Sequence, residues 1–316
     1  MRTLDLITQV LEIIAALAVA PLFVGWINQC RAWLQNRRAP SLWLPYRGIR
    51  KLFHKDAVIA ERASGLFRIA PYIVFSAMVL AAAIIPSMGT ALPFTTAADA
   101  IALVGLLATA RVFQSLAAMD IGTAFGTLGA RREMMVGFLA EPALLIVIFV
   151  ASIISATTAL PAITENLATQ HLALYPSLAF SAIAFTLVLL AENARIPIDN
   201  PSTHLELTMI HEAMLLEYSA RHLALMEWAA ALKLFNYACI GFALFVPWGI
   251  STSEGTPLTL LASIPLLAGK LLIVGAGLAL VETVSAKLRV FRAPEFLATA
   301  FLFAVLGLLV HLLLGA

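Results

Sequence analysis

Long apolar runs alternate with short polar ones along the whole chain, and the apolar runs share one length scale. Crossing the hydrocarbon core of a bilayer takes about 20 mostly apolar residues as a helix. Eight stretches meet that length: residues 4–29, 67–89, 97–119, 134–160, 173–192, 229–250, 258–282 and 295–314. Turns rich in Pro, Gly, Ser and Thr separate several of them, for example Pro86-Ser87-Met88-Gly89 and residues 251–257. No internal repeat and no low-complexity tract is visible. In lipid every backbone polar group must be satisfied within its own segment, so such runs form helices. The predicted fold class is all-α: a polytopic transmembrane helical bundle of about eight spans, with residues 1–316 as a single transmembrane domain.

Composition points the same way. Apolar residues make up 61% of the 316 residues and charged residues 12%, with a mean hydropathy of +0.95. Soluble domains carry about 45–50% and about 25% respectively. Ala18-Val19-Ala20 has the form of a signal-peptidase site, but Asp5 and Glu12 interrupt the run before it and Pro21 follows it. The N-terminal run therefore reads as a first membrane helix. Cys30 and Cys239 stand far apart, outside any C-x-x-C pattern, so this chain cannot build an iron–sulfur, zinc or disulfide framework from them.

The loops sort by charge. The first holds Arg31, Arg37, Arg38, Arg47, Arg50, Lys51, Lys55 and Arg62; the third Arg131 and Arg132; the fifth Arg195 and Arg221; the seventh Lys287, Arg289 and Arg292. The even loops have neither Lys nor Arg. By the positive-inside rule the odd loops are cytoplasmic and both termini lie outside. Residues 30–66 and 193–228 are then the two large cytoplasmic loops, and they read as a partner-docking surface.

Ionisable groups at membrane depth are costly and usually face a polar interior or a partner. Here they are Glu12, Arg111, Glu141, Glu192, Lys233, Lys270 and Glu282. Most fall in the cytoplasmic half, which suggests a polar cavity opening to that side. At helix ends, snorkelling or simple ion pairing competes with this reading for Glu192, Lys233 and Glu282.

The fifth loop opens Glu192-Asn193-Ala194-Arg195-Ile196-Pro197-Ile198-Asp199-Asn200-Pro201, an extended, turn-rich segment. Thr203-x-x-Glu206 then has the form of a capping box, and an amphipathic helix is predicted from about 204 to 227. On it Glu206, Glu217 and Glu227 fall on one side, and His204, His211 and His222 on the other. Neighbours in either row lie more than about 10 Å apart along the axis, too far to share a metal ion. A row of acids can act as steps of a proton relay or as contacts for a partner; an interfacial helix with a solvated face is the simpler alternative. In the first loop, basic residues interleave with Trp43, Tyr46 and Phe53, which suits anionic lipid headgroups or a docked subunit better than nucleic acid. Walker A, dinucleotide, H-E-x-x-H and G-x-S-x-G patterns are absent. Redox or nucleotide chemistry would have to come from other chains.

Four stretches in order resemble the complex I subunit 1 superfamily, and within it the hydrogenase branch of hydrogenase-4 component C and formate hydrogenlyase subunit 4. They are Asn36-Arg37-Arg38-Ala39-Pro40 through Tyr46-Arg47 to Phe53; Asp120-Ile121-Gly122-Thr123 through Arg131-Arg132-Glu133 to Glu141-Pro142; Glu192 and Arg195 through Asp199 to Glu206-Leu207 and Glu217-Tyr218-Ser219; and Glu282 with Ala286-Lys287-Leu288-Arg289. The chain departs from the branch pattern at Gly48, at Ile198 and over 200–210, where a glutamate-rich stretch is replaced and Glu206 kept.

The resemblance implies a membrane anchor without a cofactor of its own. It would hold hydrogenase-like large and small soluble subunits, which carry a [NiFe] centre and iron–sulfur clusters, and couple them to antiporter-like membrane subunits. The place would be a bacterial or archaeal cytoplasmic (inner) membrane. By the same resemblance Glu141, Glu192, Asp199, Glu206, Glu217 and Glu282 line an acidic path, to which the depth of Arg111 and Lys270 adds two cations. Arg37, Arg38 and Arg47, with Arg195, would meet the soluble module. Two other readings stand beside it: a quinone-site subunit of a complex I-like NADH:quinone oxidoreductase, and a free-standing proton-coupled transporter, whose related halves are not visible here.

Overall fold

The computed structural model describes residues 3–61, 63–96, 99–169, 175–196, 199, 209–252, 257–286 and 292–314. Among these residues the regular structure is helical: α1 Thr3–Leu34, α2 Leu44–Phe53, α3 Gly65–Ile84, α4 Ala100–Asp120, α5 Ala124–Ser155, α6 Leu160–Thr169, α7 Pro176–Glu192, α8 His211–Leu215, α9 Ala220–Phe245, α10 Pro257–Val284 and α11 Ala293–Leu314. One isolated bridge joins Gly89 to Ser251, and no strand occurs among the described residues.

Among the described residues seven helices are long and apolar enough to cross a membrane: α1, α3, α4, α5, α9, α10 and α11. The remaining predicted span corresponds to α7, whose 17 residues reach the lower limit for crossing. α9 is the centre of the bundle: 72% of its most apolar window is buried, against 28% in α10 and 22% in α11 at the rim. Large apolar side chains on the rim helices, such as Ile273, Val284 and Leu313, face outward. That is the surface a lipid solvent requires.

Three helices run well past the predicted spans, α1, α5 and α9, the last starting at Ala220 rather than 229. α1 continues to Leu34, so Arg31 belongs to a helix rather than to the first loop. α5 begins at Ala124, ten residues before the predicted span. Its 32 residues extend about 48 Å at 1.5 Å per residue, well beyond the hydrocarbon core of about 30 Å. The extra turns carry Arg131, Arg132 and Glu133 on the same rod as Glu141.

The amphipathic helix predicted over 204–227 is not one helix. α8 has five residues, residues 216–219 break the run, and α9 takes the rest into the bundle. Ser219 is extended and Ala220 has φ +47°, so helical hydrogen bonding cannot continue through the junction. The break is held by tertiary contacts. Tyr218 is buried and stacks on Phe67 at a centroid distance of 4.0 Å, and Ser219 Oγ donates to the Val58 carbonyl at 2.6 Å. Glu217 lies in this break, and Glu206 with its capping box lies outside the described residues.

Two internal prolines explain two of the long-range hydrogen bonds. A proline within a helix has no N–H, so the carbonyl four residues earlier loses its donor. Pro71 in α3 frees the Phe67 carbonyl, and the Tyr218 hydroxyl donates to it at 3.2 Å. Pro21 in α1 frees the Leu17 carbonyl, and Trp228 Nε1 donates to it at 3.1 Å. Burial first, then the nearby charge of Asp120, push the Tyr218 phenol above its ordinary range, so it remains a donor. Tyr218→Phe keeps the stacked ring but orphans a buried carbonyl, with an expected cost of about 1–3 kcal/mol. In a Pro71→Ala background the helix supplies its own donor and the same substitution should cost much less. Thermal melting of the four variants in detergent measures the difference; equal costs in both backgrounds would refute the pairing.

Candidate functional site

Of the seven charged residues predicted at membrane depth, Glu141, Glu192 and Lys233 gather around a fourth, Arg111. Arg111, on α4, is buried, with 5% of its side chain exposed. Its Nε lies 3.3 Å from Glu133 Oε1 and its Nη1 2.7 Å from Glu141 Oε1, both on α5. Its Nη2 pairs with Glu192 Oε1 at the end of α7. Lys233 on α9 pairs with the other oxygen of Glu192 at 2.9 Å. On the far side His211 Nε2, in α8, is 3.4 Å from Glu133 Oε2. Five helices therefore meet at one buried network.

The sequence of α5 makes this possible. Glu133, Gly137 and Glu141 lie four residues apart, so they stack on one face. A Cβ at residue 137 would collide with Arg111 Nη1 and lie 2.9 Å from its Cδ. The guanidinium lies across that glycine and spans the carboxylates one turn above and one turn below. Arginine suits the position because its planar fork offers donors in several directions at once.

Charge accounting shows what the network can do. Arg111 and Lys233 face three carboxylates. Neutrality needs one more proton, placed on a carboxylate or on His211. Burial in low dielectric favours neutral sets, so such a network can carry an exchangeable proton. Its members differ in access. Glu192 has 1% side-chain exposure and is locked between two cations, whereas Glu141 has 34% and touches one. A cavity of about 180 Å³ adjoins the network, with Arg111, Glu192, His211 and Lys233 in its walls beside Met78 and Leu107.

A second cluster lies at the same ends of α1, α7 and α10. Glu282 accepts from Arg195 at 2.8 Å and pairs with Arg31 at 3.6 Å. Arg195, expected at the docking surface, thus turns inward, while Arg37, Arg38 and Arg47 are exposed. Asp199 is buried and accepts from the backbone N–H groups of Ile210 and His211, both at 3.2 Å, so it fixes the start of α8 and hence the place of His211. Lys270 stands apart from both clusters: its Nζ donates to the Val246 carbonyl at 2.6 Å and sits 5.7 Å from the Phe242 ring centroid. Glu12 is likewise separate. Its Oε1 accepts from the backbone N–H groups of Ser87, Met88 and Gly89 at 2.7–3.2 Å and so clamps the turn after α3.

Glu133 and His211 were not among the sequence-based site residues. The spacing of Glu133, Gly137 and Glu141 was a usable signal for the first. His211 had none, since only the fold brings α8 to α5. Among the described residues no group of three His, Cys, Asp or Glu side chains could hold a metal ion. Cys30 and Cys239 are free and buried.

The comparisons with known proteins agree with this architecture. A family profile described as NADH dehydrogenase matches residues 7–313. Hydrogenase-4 component C of Escherichia coli (strain K12) is 35% identical over 239 residues, 75% of this chain and 74% of that protein. Formate hydrogenlyase subunit 4 of the same organism is 32% identical over 301 residues, 94% and 95% of the two chains. The fold matches a chain in the structure of the membrane-bound sulfane sulfur reductase, an archaeal respiratory membrane complex, with a TM-score of 0.83 at 21% identity over 96% of this chain and 98% of that one. The chain belongs to the NADH dehydrogenase family of complex I subunit 1-type membrane proteins.

Proposed function

We propose that the chain is the membrane-anchor and coupling subunit of a group 4 [NiFe]-hydrogenase-type respiratory complex, of the hydrogenase-4 or formate hydrogenlyase kind. The observation that carries this is the buried Arg111 network, whose two cations face three carboxylates and of which Glu141 is the most exposed member. The two Escherichia coli relatives support the redox assignment by their names. In this reading the arginine-rich end faces the cytoplasm, both termini lie outside, and the membrane is a bacterial or archaeal cytoplasmic membrane. Hydrogenase-like large and small soluble subunits dock there, with Arg37 and Arg38 among the contacts. Their [NiFe] centre and iron–sulfur clusters do the electron chemistry. Antiporter-like membrane subunits take the proton signal onward.

Within this chain the steps are electrostatic. A change of charge at the docked module alters the field on Glu282, Arg195 and Arg31. Glu192 precedes Arg195 by three residues in sequence and hands that change to Arg111. Arg111 can shift its bonding among three carboxylates, and Glu141 exchanges the proton. A quinone would need the soluble partner to complete its site: the cavity beside Arg111 holds about 180 Å³, below the about 300–1,000 Å³ usual for a bound organic molecule.

Gentle detergent purification of the native complex tests the assignment. The expected result is a co-purifying large subunit bearing paired C-x-x-C nickel ligands. A chain that purifies alone and is stable and active would overturn it. Electron transfer sensitive to quinone analogues would move the assignment to the complex I-like alternative.

A further inference from the structure

The first loop carries a feature that the coupling function does not use. Trp43, Tyr46, Arg47, Arg50 and Phe53 recur at spacings of three or four residues, so they form one stripe along α2. The stripe faces Trp228 of α9 across a groove of about 630 Å³. The groove's floor is fixed. The Tyr46 hydroxyl donates to the Ala18 carbonyl, while Trp228 Nε1 takes the neighbouring Leu17 carbonyl freed by Pro21. Its walls are aromatic pairs: Trp43 and Tyr46 lie 5.7 Å apart, Phe53 and Trp228 6.4 Å apart. At its mouth Arg47 and Arg50 are both exposed and make no ion pair with any described residue.

We propose that this groove is a specific site for an anionic phospholipid. The phosphate is held between Arg47 and Arg50, and an acyl chain lies along Phe53 and Trp228. The argument is one of matched chemistry. Two unpaired guanidinium groups one turn apart present a fork for phosphate oxygens. Aromatic side chains at the membrane edge suit the headgroup–acyl boundary. The groove runs from a short basic helix outside the spans to the apolar surface of a span, so it fits an amphiphile that is charged at one end only. A docked protein helix would meet two uncompensated arginines, and a neutral quinone would leave them without a partner. Arg47 is thereby reassigned from the soluble module to the lipid.

Native mass spectrometry of the full chain, purified in dodecyl maltoside and titrated with phosphatidylglycerol or phosphatidylcholine of matched acyl chains, tests this. Juxtamembrane arginines contribute about fivefold each to anionic-lipid binding, roughly thirtyfold for the pair. The wild type should prefer phosphatidylglycerol by that factor, and R47Q/R50Q should bind both lipids alike. The control R37Q/R38Q removes the same charge from exposed residues outside the groove and should lower the preference by much less than R47Q/R50Q does. A preference that survives in R47Q/R50Q, or that falls equally in R37Q/R38Q, overturns the site. So does a wild type that binds no phospholipid, or that retains a quinone in its place.

Discussion

Arg111→Met should be the most damaging single substitution in the membrane interior. Among the described residues Arg111 is the one side chain that pairs with Glu133, Glu141 and Glu192 together. Lys233 remains for Glu192 and His211 for Glu133, but Glu141 loses the one ion-pair partner it has among the described residues. Removing one partner of a buried ion pair costs about 3–5 kcal/mol, because the other charge is left uncompensated. The expected result is a large drop in melting temperature in detergent and little assembled complex. Arg111→Lys should fall in between, since a single ammonium cannot bridge carboxylates one turn above and one turn below Gly137. Adding Glu192→Gln to Arg111→Met removes one orphaned charge and should recover part of the loss. An Arg111→Met chain that melts and assembles like the wild type would mean that the network contributes nothing to the fold.

Much of this architecture is legible in the sequence, and the reasons are physical. Hydropathy locates the spans because lipid allows few other solutions for a backbone. Basic residues mark one end because they are expensive to translocate. Glu141, Glu192 and Arg111 stand out for their depth alone. Other features are set by tertiary contacts that leave no periodic trace. The fifth-loop acids fall on one face only if the loop is a continuous helix. Tyr218 instead breaks it, because its ring stacks on Phe67 and its hydroxyl satisfies the carbonyl that Pro71 releases. Asp199 looks like a path residue from its motif, yet it binds two backbone N–H groups and places His211. Lys270 looks central from its position in its span, but it bonds the end of α9. Depth in a span indicates that a charge needs a partner; it does not identify the partner.

The coupling role rests most directly on Glu141, the member of the buried network with the greatest access and one cation beside it. Glu141→Gln preserves shape and can still accept from Arg111 Nη1, but it cannot bind and release a proton at neutral pH. The substitution should leave subunit composition and melting close to wild type, unlike Arg111→Met. The decisive measurement is proton translocation per electron transferred, read with a pH-sensitive dye in inverted membrane vesicles holding the assembled complex. The account predicts that electron transfer to a soluble acceptor persists in Glu141→Gln while coupled proton movement falls by about tenfold or more, within the range by which a positioned acid–base group assists proton transfer. Unchanged proton movement per electron in an assembled Glu141→Gln complex would contradict it.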